Sequence, residues 1–364
     1  MSWFKSKGDN QSKPDQGGSG SSVAARSHES DLTEGPGESD EVSAEADRRS
    51  ASKPPDELAN LFLVMEEHLN EVELDDVREI VDALKQPPGL IDRIAGGLDD
   101  PDTQKEVILS SPSLSASVLR TVNSAAFALR ASISSIEHAV TYLGTNMVKG
   151  LVLQASMNDR MEFTSEQQRA SYLRLWRSSY VSSAVAEQYA TILDLEQPSV
   201  YATRALLANI GALALISHRP ELAGIYAPET TLVDRVAAEQ DAVMANTTVI
   251  SSMLARQWSL PEDLFDALKH ALTPMSWTPE QNERSEMQQR DDVLIYLATR
   301  VGDAVAFGAL QDVTQFEVLG EGAPEFFYLP EYLRRYDLGG LLPALQQQAT
   351  ARRITRLIET FGDC

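Results

Sequence analysis

From Asp56 onward, apolar residues recur three and four positions apart along most of the chain, the spacing of helices that bury one face. The pattern is most regular between Ser111 and Gln154. Ser111 before Pro112 reads as an N-cap with proline at the first helical position. Leu114, Val118 and Leu119 then share a face, with Val122 on the next turn. Ser134 and Glu137 match the capping box, in which serine and glutamate satisfy each other's free amides. Gly144 is placed to close that helix in a left-handed conformation. Met147, Leu151 and Leu153 begin another apolar face. The stretch is expected to be three or four short helices packed as a unit.

The same periodicity predicts helices elsewhere. Leu58, Leu61, Phe62 and Met65 mark a first helical run, continued by Val77, Ile80, Val81 and Leu84 after a break near Glu73. Pro87-Pro88-Gly89 ends it, and Asp100-Pro101 opens a helix through Leu109. A long helix is expected from about Ser165 to Ile192, carrying Leu173, Trp176, Tyr180 and Val181. Pro198-Ser199 open a helix running to His218, Thr231 to Gln257 forms another, and Glu262 to Leu272 a shorter one. Residues 272–290 read as a polar loop with a capped turn at Thr278-Pro279. A helix from Asp291 to Phe307, an irregular region from 310 to 341 holding Phe326-Phe327-Tyr328, and a closing helix to Phe361 complete the chain. No alternating strand pattern and no fixed-period repeat is visible, so the predicted fold class is all-α.

Composition narrows this picture. In 364 residues, of which 43% are hydrophobic, there is enough apolar material for one large or two modest domains. Residues 1–54 are rich in Ser, Gly, Asp, Glu and Pro and are expected to form a disordered polar tail, with Trp3-Phe4-Lys5 as its only amphipathic handle. The expected divisions beyond it are a helical subdomain at 55–160, a second at 161–309, and a C-terminal segment at 310–364. The net charge of −23 argues against binding nucleic acid or an anionic membrane surface. The apolar run Ala205–Ile216 is shorter than a membrane crossing and is interrupted by Asn209. The single cysteine, Cys364, allows no internal disulfide. With no apolar signal core in MSWFKSKGDNQSK, a cytoplasmic location is expected.

The run "SPSLSASVLRTVNSAAF…ISSIEHAVTYLG…VKGLVL" resembles the signature of the HDOD domain, the HD-related output domain of bacterial signalling proteins. Pro112, Leu119, Asn123-Ser124-Ala125, Ile133, Ile136, Ala139 and Leu143-Gly144 sit at matching offsets. Ser111 departs from the family's more frequent Asp, a change between two equally good caps. The resemblance covers roughly residues 75–300 and implies a multi-helical bundle of two subdomains.

It also implies where a metal site would lie. HD-superfamily phosphohydrolases hold divalent metals through a His on an early helix, a later His-Asp doublet and a final Asp, because imidazole and carboxylate hold cations that generate hydroxide at neutral pH. Here the early motif reads Leu175-Trp176-Arg177-Ser178-Ser179, placing Ser178 at the ligand position. The doublet motif reads Leu206-Leu207-Ala208-Asn209-Ile210-Gly211, so Ala208 and Asn209 replace both ligands. A later pattern places Thr247 where a third His would stand, ahead of Trp258 and Pro261. The final acid falls at Thr299, with Asp303 one turn further on as a candidate substitute. Trp176 and Trp258 are expected in the core.

The remaining histidines, His28, His68, His138, His218 and His270, share no four-residue spacing that would place two imidazoles on one helical face. Glycine-rich phosphate loops and nucleophile elbows are absent. The expectation is a signalling or regulatory protein without catalysis, cofactor or metal, acting through protein contacts with partners in trans. Two alternatives stand beside it. One is a metal-dependent phosphohydrolase with ligands rearranged around Asp303 and His270, and the other a small-ligand sensor, for nucleotides above all, using the vacated pocket.

Overall fold

A computed structural model describes residues 38–83, 101, 104, 122, 129, 136–145, 147–151, 163–257, 262–308, 310, 315–316, 318 and 323–347. Among the described residues every regular element is helical, as the spacing predicts. The helices used below are α1 (Glu38–Ser50), α2 (Asp56–Ala59), α3 (Glu71–Ala83), α4 (Ile136–Leu143), α5 (Glu166–Ile192), α6 (Pro198–Leu207) and α7 (Ile210–His218). They continue with α8 (Leu232–Val243), α9 (Thr247–Gln257), α10 (Glu262–Lys269), α11 (Thr273–Ser276), α12 (Glu286–Ala306), α13 (Leu329–Arg335) and α14 (Leu341–Ala344). Short 3-10 turns lie at Glu66–His68, Pro220–Tyr226 and Pro324–Phe326.

Two long helices, α5 and α12, form the axis. Ser165 caps α5 by accepting from the Gln168 amide at 3.1 Å. Ser285 opens α12 in a capping box with Gln288, five residues earlier than the apolar pattern alone predicts. Their contact is close because one side of it is made of Gly302 and serines. A Cβ on Gly302 would lie 2.1 Å from Ser182 Oγ and 2.5 Å from the Ser178 carbonyl. The Ser179 and Ser182 hydroxyls fold back on α5, to Leu175 O at 3.1 Å and Ser178 O at 2.7 Å, so they are buried without orphaned polar atoms.

Two predicted helices are each broken in two. The segment expected to run from Pro198 to His218 divides at Ala208-Asn209 into α6 and α7, because the Asn209 side chain is drawn across to Ser178 instead of leaving the backbone a plain helix. Gly211 then brings α7 against α9. Its amide donates to Ser251 Oγ at 2.9 Å, and a Cβ there would meet the Thr247 carbonyl at 2.3 Å. The second break separates α8 from α9. Met244 takes a left-handed φ of 58°, and Asn246 Oδ1 accepts from the amides of Thr248 at 3.0 Å and Val249 at 3.3 Å, capping the new helix. Gly144 closes α4 at a φ of 76°, as expected.

The N-terminal part departs from expectation in two places. Residues 38–50, expected within a structureless tail, form α1 and dock on α13. Val42 and Ala46 are buried, the Arg49 guanidinium donates to the Phe326 carbonyl at 2.5 Å, and Asp47 meets Arg334 at 2.5 Å. Few apolar residues are needed where polar groups are satisfied in this way. Residues 60–65 are not helical either. Their backbone is held by side chains of other elements: Gln240 accepts from Val64 N and donates to Phe62 O, each at 2.9 Å, and Asn246 donates to Val64 O at 2.8 Å. Phe62, expected on a buried face, is exposed.

The core does not part at residue 160. One apolar cluster joins Val77, Ile80 and Val81 of α3 and Val140 and Leu143 of α4 to α6, α7 and α9. A second joins Val42, Leu58, Leu63 and Met65 and the C-terminal Phe326, Leu329 and Tyr332 to α5 and α12. The irregular 310–341 region therefore contains α13, with Phe326 buried at its approach. Val200–His218 has the length and hydropathy of a membrane crossing, but 76% of its apolar window is buried in this helical body. The closing helix is seen at Leu341–Ala344, and its expected continuation to Phe361 lies outside the described residues.

Candidate functional site

The α6–α7 break, the middle of α5 and the last turns of α12 meet at one buried point. Ser178 of α5 is fully buried and donates its hydroxyl to Asp303 Oδ1 at 2.5 Å. Asn209 Nδ2 donates to the same Ser178 Oγ at 3.1 Å. The second carboxylate oxygen of Asp303 accepts from the Arg235 guanidinium of α8 at 2.5 Å and faces Arg300 Nη1 at 3.1 Å. Both arginines and the aspartate are 6% exposed. Burial alone would raise the Asp303 pKa. The charges of Arg235 and Arg300 and the Ser178 hydroxyl outweigh it, and the carboxyl is held below its ordinary range. Arg235 also lies over the Phe307 ring, 4.2 Å from its centroid.

One turn beyond Arg235, Glu239 forms a second buried knot. Its Oε1 accepts from Tyr226 Oη at 2.9 Å and Thr247 Oγ1 at 2.8 Å, and its Oε2 accepts from the Thr247 amide at 2.7 Å. Burial raises the Glu239 pKa against the opposing pull of these hydrogen bonds. The carboxylate thereby satisfies the free amide at the start of α9.

The structure brings the sequence-predicted positions together. Ala208, Asn209, Thr247, Thr299 and Asp303 all line one cavity of about 30 Å³, and Ser178 contacts two of them. That volume holds a water molecule or two and excludes anything larger. The final acidic position has two candidates, Thr299 and Asp303, and the structure gives them different partners. Thr299 turns its hydroxyl back to the Tyr296 carbonyl at 2.8 Å, while Asp303 faces Ser178 and Asn209. A four-residue offset keeps both on nearly the same helical face, which is why spacing alone does not separate them.

His270 is not brought to Asp303. It lies 3.8 Å from Asp266 and 3.4 Å from Thr273 Oγ1, beside the Arg284 guanidinium that binds Asp266 and Asp292. Burial, then the Arg284 charge, depresses its pKa to about 4. His68 accepts from the Met65 amide at 2.9 Å. Trp176, expected in the core, is half-buried and packs against the edge of the cluster that holds Tyr172, Leu175 and Ala212. Pro112, Leu119, Asn123, Ser124, Ala125, Trp258 and Pro261 lie outside the described residues, as does the His138 side chain.

Arg235, Glu239 and Tyr226 are site residues that motif reading does not find. A signal for two of them exists in the sequence. Arg235 and Glu239 stand four apart among Leu232, Val236 and Val243, on the face of α8 that is otherwise apolar. A charged pair on such a face is either badly placed or mutually satisfied inside.

These residues do not fit a divalent cation. Serine, alanine and asparagine stand at three positions, and of the two carboxylates lining the cavity Asp303 already holds a guanidinium while Glu239 is committed to Tyr226 and Thr247. Among the described residues, no group of three or more His, Cys, Asp or Glu could hold a metal ion.

An all-helical body that gathers Ser178, Asn209 and Asp303 at one buried point defines the class as HD-related. The chain belongs to the HDOD domain family, whose model matches residues 84–274. Its fold is that of an HDOD domain protein of unknown function from Geobacter sulfurreducens, at 19% identity and a TM-score of 0.53, over 79% of this chain and 97% of that one. A candidate phosphohydrolase from Shewanella amazonensis is equally similar, at 19% and 0.53, over 78% and 98%. A candidate signal transduction protein from Marinobacter aquaeolei gives 18% and 0.55, over 84% of this chain and 68% of that one. No curated protein matches the sequence.

Proposed function

We propose that this HDOD chain is a non-catalytic signalling module, acting in the cytoplasm through contacts with other proteins, on a scaffold whose metal centre has been replaced by an internal ion pair. One observation carries the reading: both oxygens of Asp303 are engaged from inside the protein, by Ser178 and by Arg235. A buried carboxylate needs a counter-charge, and here a guanidinium supplies what a cation would supply in a hydrolase. A metal entering beside Asp303 would have to displace Arg235 and leave it buried without its partner. A metal-bound hydroxide, the nucleophile of metal-dependent hydrolysis, has no place to form beside a carboxylate held in this way.

A hydrolase built on His270 and Asp303 gains no support, since each is held by a separate cluster. The experiment is metal analysis of protein purified without chelators, together with assays on phosphodiesters and nucleotides. Metal far below one equivalent and no turnover are expected. Stoichiometric manganese, iron or magnesium, with turnover lost in Asp303→Asn, would refute the proposal.

A further inference from the structure

The two arginines on Asp303 also face away from it. Beyond the pair, between α8, α12 and the approach to α13, lies a groove of about 390 Å³ lined by Arg235, Arg300, Phe307, Phe316, Glu229 and Glu325 among others. This is within the range of pockets that take small organic ligands, and more than ten times the cavity at the vacated metal position. The larger space lies beside the degenerate centre and shares its charged floor.

That floor is not fully satisfied. Arg235 and Arg300 are both 6% exposed, and the buried Nε of each has no hydrogen-bond partner. Two guanidiniums share the Asp303 carboxylate at the bottom of the groove, so neither has that carboxylate to itself. Guanidinium forks bind carboxylates and phosphates through paired donors. Phe307 and Phe316 supply apolar wall, the latter held edge-on against Phe326 at 5.8 Å between centroids. The opposite polarity sits elsewhere in the lining. Glu325 Oε2 is buried without a partner, and Glu229 is exposed to solvent. Three carboxylates in the lining, Glu229, Asp303 and Glu325, repel a ligand that carries several negative charges, and Glu325 Oε2 lacks a donor.

We infer that this groove is a ligand site for a small aromatic molecule with one anionic group and one N–H donor. The anion lies on Arg235 and Arg300, the ring between the phenylalanines, and the donor on Glu325. The inference rests on the reading of Arg235 and Asp303 as a metal-free ion pair. Because the anion competes with Asp303 for the same guanidiniums, occupancy of the groove changes the contacts that hold α5, α8 and α12 together. That gives a signalling module an input.

The test is calorimetric titration of the full chain with four kinds of probe at up to 10 mM. They are aromatic acids bearing an amine (L-tryptophan, anthranilate), an aromatic acid without a donor (2-naphthoate), an aromatic amine without an acid (tryptamine), and inorganic phosphate. At least one amine-bearing acid is expected to bind with a Kd of about 1 mM or tighter, the affinity ordinary for ligands of so few atoms. The plain acid should bind more weakly and tryptamine and phosphate not measurably. Arg300→Gln should weaken the acids about tenfold or more. Since that variant alters a buried group, Glu325→Gln serves as the second: it should keep the fold, narrow the gap between the two acid classes, and tighten 2-naphthoate. No binding by either acid class would overturn the inference, as would tryptamine or phosphate binding as well as the amine-bearing acids. Metal content is read separately, so stoichiometric metal would sink the non-catalytic reading without touching these binding data.

Discussion

Arg235 on α8 donates to Asp303 on α12 at 2.5 Å, with both side chains less than one tenth exposed. This pair ties together three helices, because the other Asp303 oxygen is held by Ser178 of α5, and Asn209 at the α6–α7 break holds Ser178 in turn. In a dry interior such a chain of charge and hydrogen bonds is expensive to interrupt, and here each link from Arg235 to Asn209 is made while Arg235 Nε is left over.

Removing one member of the pair should therefore cost more than removing both. Arg235→Leu leaves Asp303 buried with only Arg300 against it, and Asp303→Leu leaves two guanidiniums without a carboxylate. Each single change is expected to lower unfolding free energy by about 3–5 kcal/mol in urea titrations. The double change should recover a substantial part of that loss. A strictly additive double variant would show that the two residues do not act as a pair.

The close contact of α5 and α12 makes a second prediction. Gly302→Ala places a Cβ 2.5 Å from the Ser178 carbonyl, a backbone atom that cannot rotate away. The helices must separate, at a cost of about 2–3 kcal/mol, and Ser178 moves with them. Adding Ser182→Ala relieves only the hydroxyl contact, so little of the loss should return. Recovery of wild-type stability in the double variant, by thermal unfolding, would locate the strain at the Ser182 side chain instead.

Most of the fold is legible in the sequence because helix periodicity and caps are local signals. Ser165 and Gly144 act where their neighbours say they should, while Ser285 caps α12 ahead of the start that the apolar pattern predicts. What is not legible depends on partners distant in the chain. The breaks at Asn209 and at Met244 are drawn by a hydroxyl on α5 and by an asparagine cap. Residues 60–65 read as helix yet lie along Gln240 and Asn246, about 180 positions away. For the site, the family resemblance points to Ser178, Ala208, Asn209, Thr247 and Thr299 with Asp303 one turn on, and the structure gathers them around one small cavity. The resemblance is silent on Arg235, whose meaning appears only when α8 is laid against α12.

The docking of α1 separates burial from surface charge. Ala46 is fully buried against the C-terminal helices, while Arg334 and Asp47 are 36% and 77% exposed. Ala46→Asp should release the helix, raising amide exchange across residues 38–50 and costing about 2–3 kcal/mol, the scale of the apolar burial lost. Arg334→Ala should change stability by less than about 0.5 kcal/mol. Equal effects from the two would mean that α1 is held by its ion pair.

The Arg284 cluster predicts a pH dependence that only a difference measurement exposes. Burial, then the Arg284 charge, lowers the His270 pKa to about 4, against about 6.5 in an unfolded chain. A histidine depressed in the fold contributes stability that is present above pH 6.5 and is lost as pH falls towards 4. Asp292 works the other way across the same window. Burial raises its pKa to about 7 against the pull of Arg284, so its ionisation destabilises the fold as pH rises from about 4 to 7. Asp266, held low first by its hydrogen bonds to Arg284, loses its contribution only in stronger acid. The wild-type profile thus blends opposing slopes, and His270→Gln removes one of them. Relative to wild type, the variant should gain about 1–2 kcal/mol between pH 6.5 and 4, after allowing for the partial exposure of the ring. A constant difference between the two proteins over that range would show that His270 titrates normally and is not buried against Arg284.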